Sequence, residues 1–304
     1  MISDTVASTV VVASFSPVET LCNCLDSLLI GAPGAEIIVS TCLTEVQVDP
    51  LKTIYPSIFF EISQEETEPE KIKLRETRVF RLRAAGVKLA KGNVIAMIED
   101  HCEVDSNWLL NMEKALEQGT VIAGGAIRNG DEQGLFKCAL YWAEYAAMMP
   151  PFFNTSITYV SAVNSAYKRD LLFSCVDIWR NGFYDNEVHD ALIAEGASLT
   201  LVGGSTVKTK LPFTRTQAIM HLYSGAIRYG SHRVGKKWHV ERIIRLPATL
   251  LVPWVLTYII FRNVRLRRPD QTGKFIMSLP WLLLLLSAWG AGELWGTLRG
   301  SNDI

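Results

Sequence analysis

Residues 6 to 40 carry a strand–helix–strand pattern, and this pattern limits the fold more than any other feature. Val6 to Ala13 is a β-branched run that ends at Ser14-Phe15-Ser16-Pro17, which reads as a buried strand and a loop. From Glu19 to Leu29 the apolar residues Leu21, Cys24, Leu25, Leu28 and Leu29 recur at the spacing of an amphipathic helix, closed by Gly31-Ala32-Pro33-Gly34. Glu36-Ile37-Ile38-Val39-Ser40 is the next strand. Two strands joined by a crossover helix pair in parallel, so the chain starts as a βαβ unit.

The alternation continues. Ser57 to Ile62 reads as a strand and Glu70 to Lys91 as a long basic helix, stopped by Gly92-Asn93. Val94 to Ile98 is a buried strand that runs into Glu99-Asp100-His101-Cys102. Asp105 to Glu117 is helical and Thr120 to Ile127 is a strand. Gly134 to Met149 is an aromatic helix broken by Pro150-Pro151. Tyr159 to Tyr167 is extended, Asp185 to Glu195 helical, and Ala197 to Val202 a last strand, with Gly203-Gly204 as a turn. The expected class is α/β: a mostly parallel, Rossmann-like sheet flanked by helices over residues 1–210.

Beyond residue 210 the character changes. Residues 211–245 read as a basic amphipathic linker with Arg228, His232, Arg233, Lys236, Lys237, His239, Arg242 and Arg245, interleaved with Tyr223, Tyr229 and Trp238. Residues 246–304 read as hydrophobic membrane-associating helices. Pro247 to Phe261 and Phe275 to Gly292 are free of charge, and five leucines lie between Trp281 and Trp289. The first run is short for an upright span, whereas the second with its flanks is long enough. Arg262, Arg265, Arg267 and Arg268 separate the two runs. A spanning hairpin would place them outside, against the positive-inside tendency, so a re-entrant or in-plane pair fits better. Arg233 and these four arginines are the candidates for anionic lipid or lipid-linked phosphate.

The net charge of the 304 residues is -1, which argues against nucleic acid as a partner. Six cysteines show no C-x-x-C pair and read as reduced thiols. The N-terminus has no basic signal-peptide region, which places the catalytic part on the cytoplasmic face of the membrane.

Four constellations carry chemistry. Glu99-Asp100-His101 ends a strand, where open α/β sheets bind ligands, and adjacent acids persist there when a divalent cation such as Mg or Mn compensates them. A solvated acidic turn would look the same. Arg83 lies in Arg83-Ala84-Ala85-Gly86, where small residues bring the helix close to the sheet and let the guanidinium reach a phosphate. Asp185, Glu187 and His189 follow one another at a helix start. Asp185 fits an N-cap and equally a general base for a sugar hydroxyl. Asn164, within Val160 to Arg169, faces a ligand or satisfies a turn.

In this order the motifs resemble the family 2 glycosyltransferases over residues 8 to 210. Val10-Val11-Val12-Ala13-Ser14-Phe15 with Glu19-Thr20-Leu21 is similar to their opening strand and helix. Arg83-Ala84-Ala85-Gly86 resembles the family's Arg-Asn-x-Gly, and Glu99-Asp100-His101 stands at its Asp-x-Asp, followed by Trp108-Leu109. Asn164 to Arg169 resembles the Asn-x-x-Tyr-x-Arg segment, and Asp185 falls at the catalytic base. The chain departs from the family in His101, which replaces an Asp. It departs again in Ser40-Thr41-Cys42, where a base-reading Asp is usual, and in lacking Gln-x-x-Arg-Trp.

The resemblance implies a GT-A fold and inverting transfer from a nucleotide-sugar to a lipid-linked or membrane-proximal acceptor, with a place in polysaccharide biosynthesis. It implies donor contacts at Ser14, Glu19, Arg83, Glu99 and Asp100, and a metal at Asp100 assisted by Glu99 and His101. Asp185 and Glu187 would be catalytic, with Asn164, Tyr167 and His189 on the acceptor side. A degenerate, non-catalytic membrane scaffold and a nucleotidyltransferase are the alternatives, the latter disfavoured by the lack of a glycine-rich phosphate loop.

Overall fold

The computed structural model describes residues 7–63, 71–234 and 240–300, with side chains not described over 71–77 and 240–248. The acidic run 64–68 and the basic residues Lys236, Lys237 and His239 therefore lie outside the described residues, as do the side chains of Lys71, Lys73, Arg75, Arg242 and Arg245.

The chain opens with β1 (Ser8–Ser14), α1 (Val18–Gly31), β2 (Glu36–Thr41), α2 (Glu45–Ile54), β3 (Ile58–Ile62), α3 (Lys71–Leu89) and β4 (Val94–Glu99). It continues with β5 (Cys102–Val104), α4 (Trp108–Glu117), β6 (Ile122–Asn129) and α5 (Leu135–Tyr145). Then come β7 (Thr155–Ser156), β8 (Asn164–Lys168), α6 (Arg169–Ser174), α7 (Val176–Trp179), α8 (Asp185–Ala194) and β9 (Leu199–Thr209). Three long helices follow: α9 (Arg215–Val234), α10 (Val240–Arg267) and α11 (Thr272–Arg299), the last two joined by a 3-10 turn at Pro269–Gln271.

Two compact units form, Met1–Arg128 with Phe152–Lys210, and Asn129–Pro151 with Leu211–Ile304. The second unit thus takes α5 from the middle of the chain.

In the first unit the sheet order is β3-β2-β1-β4-β8-β6-β9-β5, with β7 beside β9. β1 is buried at all seven positions because it pairs in parallel with both β2 and β4. α1 covers the sheet with Leu21, Cys24, Leu25 and Leu28, the helical spacing read from the sequence. α3 lies close on the other strands because position 86 is glycine: a Cβ there would collide with Val11 Cγ1. The second half of the sheet is antiparallel, since β8 runs against both β4 and β6. The sheet is therefore mixed, and the start of β8 lies beside the end of β4, with Asn164 opposite Ile98.

β9 runs through Gly203-Gly204 without turning. A Cβ at 203 would meet the carbonyl oxygen of Phe152, so that glycine serves a close backbone approach inside a strand.

In the second unit α10 and α11 are longer than the charge-free runs. Arg262, Arg265 and Arg267 lie in the last turns of α10, and Arg268 precedes the short 3-10 turn. Large apolar side chains on both helices stay exposed, among them Leu250, Trp254 and Tyr258 on α10 and Met277 and Trp295 on α11. An ordinary core helix would bury them.

Candidate functional site

The site is built at the carboxyl ends of β1 and β4, where the parallel half of the sheet meets the antiparallel half. Glu99, Asp100 and His101 leave β4 there and all three are buried. Asp100 turns to the loop after β1. Its Oδ2 accepts from the backbone N–H of Phe15 (2.8 Å) and Ser16 (2.7 Å), and its Oδ1 from Ser16 Oγ–H (2.7 Å). Burial raises the Asp100 carboxyl above its ordinary range, against the opposing pull of His101 and Ser16. Ser14 is fully buried, and its hydroxyl accepts from Thr41 Oγ1 at 3.3 Å. Glu19 lies exposed in the first turn of α1.

Glu99 turns the other way. Its Oε1 accepts from Arg83 Nη2 in a buried ion pair. Burial works against the Arg83 charge, but Glu99 and then Asp185 outweigh it, so the guanidinium is held above its ordinary value. Two more guanidinium nitrogens, Nε and Nη1, are buried with no hydrogen-bond partner among the described residues. His101 Nδ1 lies 3.5 Å from Glu99 Oε2, yet neither ring nitrogen of His101 makes a hydrogen bond among the described residues. Unpaired buried polar nitrogens are costly and uncommon. Here Glu99 lies against both, through Oε1 on Arg83 and Oε2 near His101.

A second group of polar side chains comes from the antiparallel half. Asp185 is the first residue of α8, but Tyr184 occupies the cap position and no side chain caps the helix. Asp185 thus sits one residue inside the cap position, and capping accounts for only one of its contacts. The carboxylate accepts from Tyr159 O–H (3.2 Å) and the N–H of Ala162 (3.2 Å) at Oδ2, and from the N–H of Asn186 (3.1 Å) at Oδ1. Glu187 is half-buried two residues on.

One turn along, His189 is buried, with Nε2 2.9 Å from Tyr167 Oη and its ring stacked on Tyr167. Burial pushes the His189 ring down to about 4 and the Tyr167 phenol up. His189 Nδ1 has no hydrogen-bond partner among the described residues. Tyr159, which the sequence did not single out, joins the two parts: its ring meets His189 edge-on and its hydroxyl reaches Asp185.

Asn164 has another task. Its Oδ1 accepts from Trp108 Nε1–H (2.7 Å) while Nδ2 donates to the carbonyls of Ala126 (2.9 Å) and Ser205 (3.2 Å). The amide braces three strands and a helix, which a side chain facing a ligand could not do. Its close neighbour is Gly125, where a Cβ would strike Nδ2.

Among the described residues no three His, Cys, Asp or Glu side chains converge to hold a metal ion. The donor atoms that fit a cation are fewer: the nitrogens of His101 and the nearby Oε2 of Glu99, because both oxygens of Asp100 are engaged with the β1–α1 loop.

In the second unit, Arg233 pairs with Glu293 at 2.8 Å, and Arg267 donates to the carbonyls of Ala147 and Met149 at 2.9 Å each. Arg268 pairs with Asp270 at 2.9 Å, while Arg262 and Arg265 are exposed.

No curated protein matches the chain. Residues 57–173, which include α3, the Glu99-Asp100-His101 cluster and β8, match the model of the family described as Glycosyl transferase family 2. That match supports a glycosyltransferase.

Proposed function

We propose that the chain is an inverting glycosyltransferase that moves a sugar from a nucleotide-sugar to a lipid-linked or membrane-proximal acceptor at the cytoplasmic face of the membrane. The observation that carries this reading is the buried Arg83, paired with Glu99 and within electrostatic reach of Asp185, whose Nε and Nη1, like the ring nitrogens of His101 at the end of β4, find no hydrogen-bond partner among the described residues. They suit a diphosphate on one side of the reacting carbon and a base on the other.

In this reading Asp185 takes the proton of the acceptor hydroxyl as it attacks. Tyr159, Ala162 and Asn186 hold that carboxylate in place, and Glu187 is the second acid of the acceptor side. Arg83 meets the leaving diphosphate with its free N–H groups, while Glu99 fixes the guanidinium plane. Asp100 and Ser14 shape the loop after β1, and Glu19 stands at its rim. Tyr167 and His189 form the wall behind Tyr159. A divalent cation, Mg or Mn, would be held by His101 and Glu99 and would neutralise charge on the diphosphate. The domain division at 210 belongs to the same proposal, with the part beyond it serving the membrane through Arg233, Arg262, Arg265, Arg267 and Arg268.

The test is thermal unfolding of the purified chain with UDP, GDP and their sugars, each with Mg, Mn or EDTA. Ligand at a hundred times its dissociation constant stabilises by about 2.7 kcal/mol. Stabilisation by one nucleotide, lost in Arg83→Met, supports the reading. Stabilisation that survives EDTA removes the cation from it, and no response to any nucleotide overturns it.

A further inference from the structure

We infer that the C-terminal unit sits in one leaflet, with the exposed stripes of α10 and α11 against lipid, and that neither helix crosses the bilayer. The inference deepens the membrane part of the proposed function and rests on it.

By length and composition two stretches could cross a membrane, Thr249–Arg267 and Pro269–Arg299. The 31 residues of the second make a rod of about 46 Å, against a hydrocarbon core of about 30 Å, or some 20 residues. Every 20-residue window of that rod contains Trp281. The ring of Trp281 carries the guanidinium of Arg215, from the start of α9, at 4.6 Å. Sliding the window until Trp281 reaches its edge takes in Glu293, which is paired with Arg233 from the end of α9. An upright α11 therefore draws a charged group of α9 into hydrocarbon at any height, which membrane proteins seldom tolerate.

α9 is bound too tightly to be moved aside. A Cβ at Gly292 would strike the carbonyl of Tyr223, one at Gly296 that of Ile227, and Ser231 Oγ donates to the Gly296 carbonyl at 3.0 Å. Near its start α11 is covered by α5 as well, through Trp142 on Phe275 and Phe136 on Trp281. α11 thus carries α9 along its covered side, joined near its start by α5.

The other side is uncovered and apolar. On α11 the exposed positions Met277, Leu284, Trp295 and Leu298 recur at helical spacing, so they form one stripe. On α10 the exposed Leu250, Trp254 and Tyr258 do the same, followed by exposed Arg262. Half-exposed helices with interfacial aromatics and a flanking cation suit the headgroup boundary of an anionic bilayer.

The test uses the full chain and sealed vesicles of phosphatidylcholine and phosphatidylglycerol, bound from outside or made with the family 2 domain facing out. One protease site is placed in the Pro269–Gln271 turn and another after Ile304. Cleavage of both without detergent is the expected result. A turn cut only after detergent means a spanning hairpin, and a distal site cut only after detergent means an upright α11; either overturns the inference. The variant Trp254→Glu with Tyr258→Glu should lower vesicle binding at least tenfold with the nucleotide response unchanged. Failure of the natural chain to float with vesicles overturns the lipid contact while leaving the transferase reading to the nucleotide response.

Discussion

Buried polar groups of two kinds lie near one another where the two halves of the sheet meet. Where the β1 loop meets β4, Asp100 is saturated by three donors, and across the sheet Asn164 makes three bonds of its own. Between them Arg83, His101 and His189 keep buried nitrogens without hydrogen-bond partners. A saturated polar group holds the fold, and its removal should read out in stability. An unsaturated one is kept despite its desolvation cost, and its removal should read out in ligand binding or turnover as well as in stability.

The comparison breaks most visibly at the base. Asp185→Asn should lower the transfer rate by about 10²–10⁴-fold while leaving nucleotide-induced stabilisation intact. A loss of stabilisation with no separate loss of rate would make Asp185 part of the fold. Arg83→Met leaves Glu99 buried without its partner and should cost about 3–5 kcal/mol in denaturant unfolding. Adding Glu99→Gln should recover much of that stability but none of the nucleotide response, which separates the two duties of Arg83.

His189 sharpens the contrast through pH. Its folded value is about 4 against an ordinary 6.5, so the folded protein keeps the ring neutral while the unfolded chain takes up a proton. The contribution is complete above pH 6.5 and falls away as the pH drops toward 4, by on the order of 3 kcal/mol in all. His189→Gln should flatten that part of the unfolding profile. Ser16→Ala removes one of the bonds on Asp100 and should cost about 1–2 kcal/mol. It should not change the nucleotide response, and a change would place the β1 loop among the ligand contacts.

The parallel half was legible because its signals are local. β1, α1, β2 and β4 each announce themselves by period, and Gly86 by the small residues around it. α2 was missed, since Val48 and Leu51 are its only buried residues and Pro50 lies inside it. Its start did have a signal in Thr44 and Gln47, which form a capping box. Gly203-Gly204 misled because a glycine pair marks a turn or a close approach, and only the carbonyl of Phe152 decides between them.

For the site, the acidic cluster and Arg83 stood out separately. Their ion pair joins residues on α3 and β4, a contact that no spacing rule reports. Asp185 could be read as a cap until the structure turned its side chain to Tyr159. Tyr159 itself carried no signal beyond being a tyrosine in an extended stretch.

The placement of α5 in the second unit has a consequence for how the chain is made. Phe136 and Trp142 leave the ribosome early, but Trp281 and Phe275, which cover them, come more than a hundred residues later. Through that interval α5 presents an apolar face with nothing to rest on. A nascent chain in this position needs a holding chaperone or an early encounter with the bilayer. A fragment cut at residue 210 would keep the same face bare permanently, so a catalytic piece made that way should be prone to aggregate.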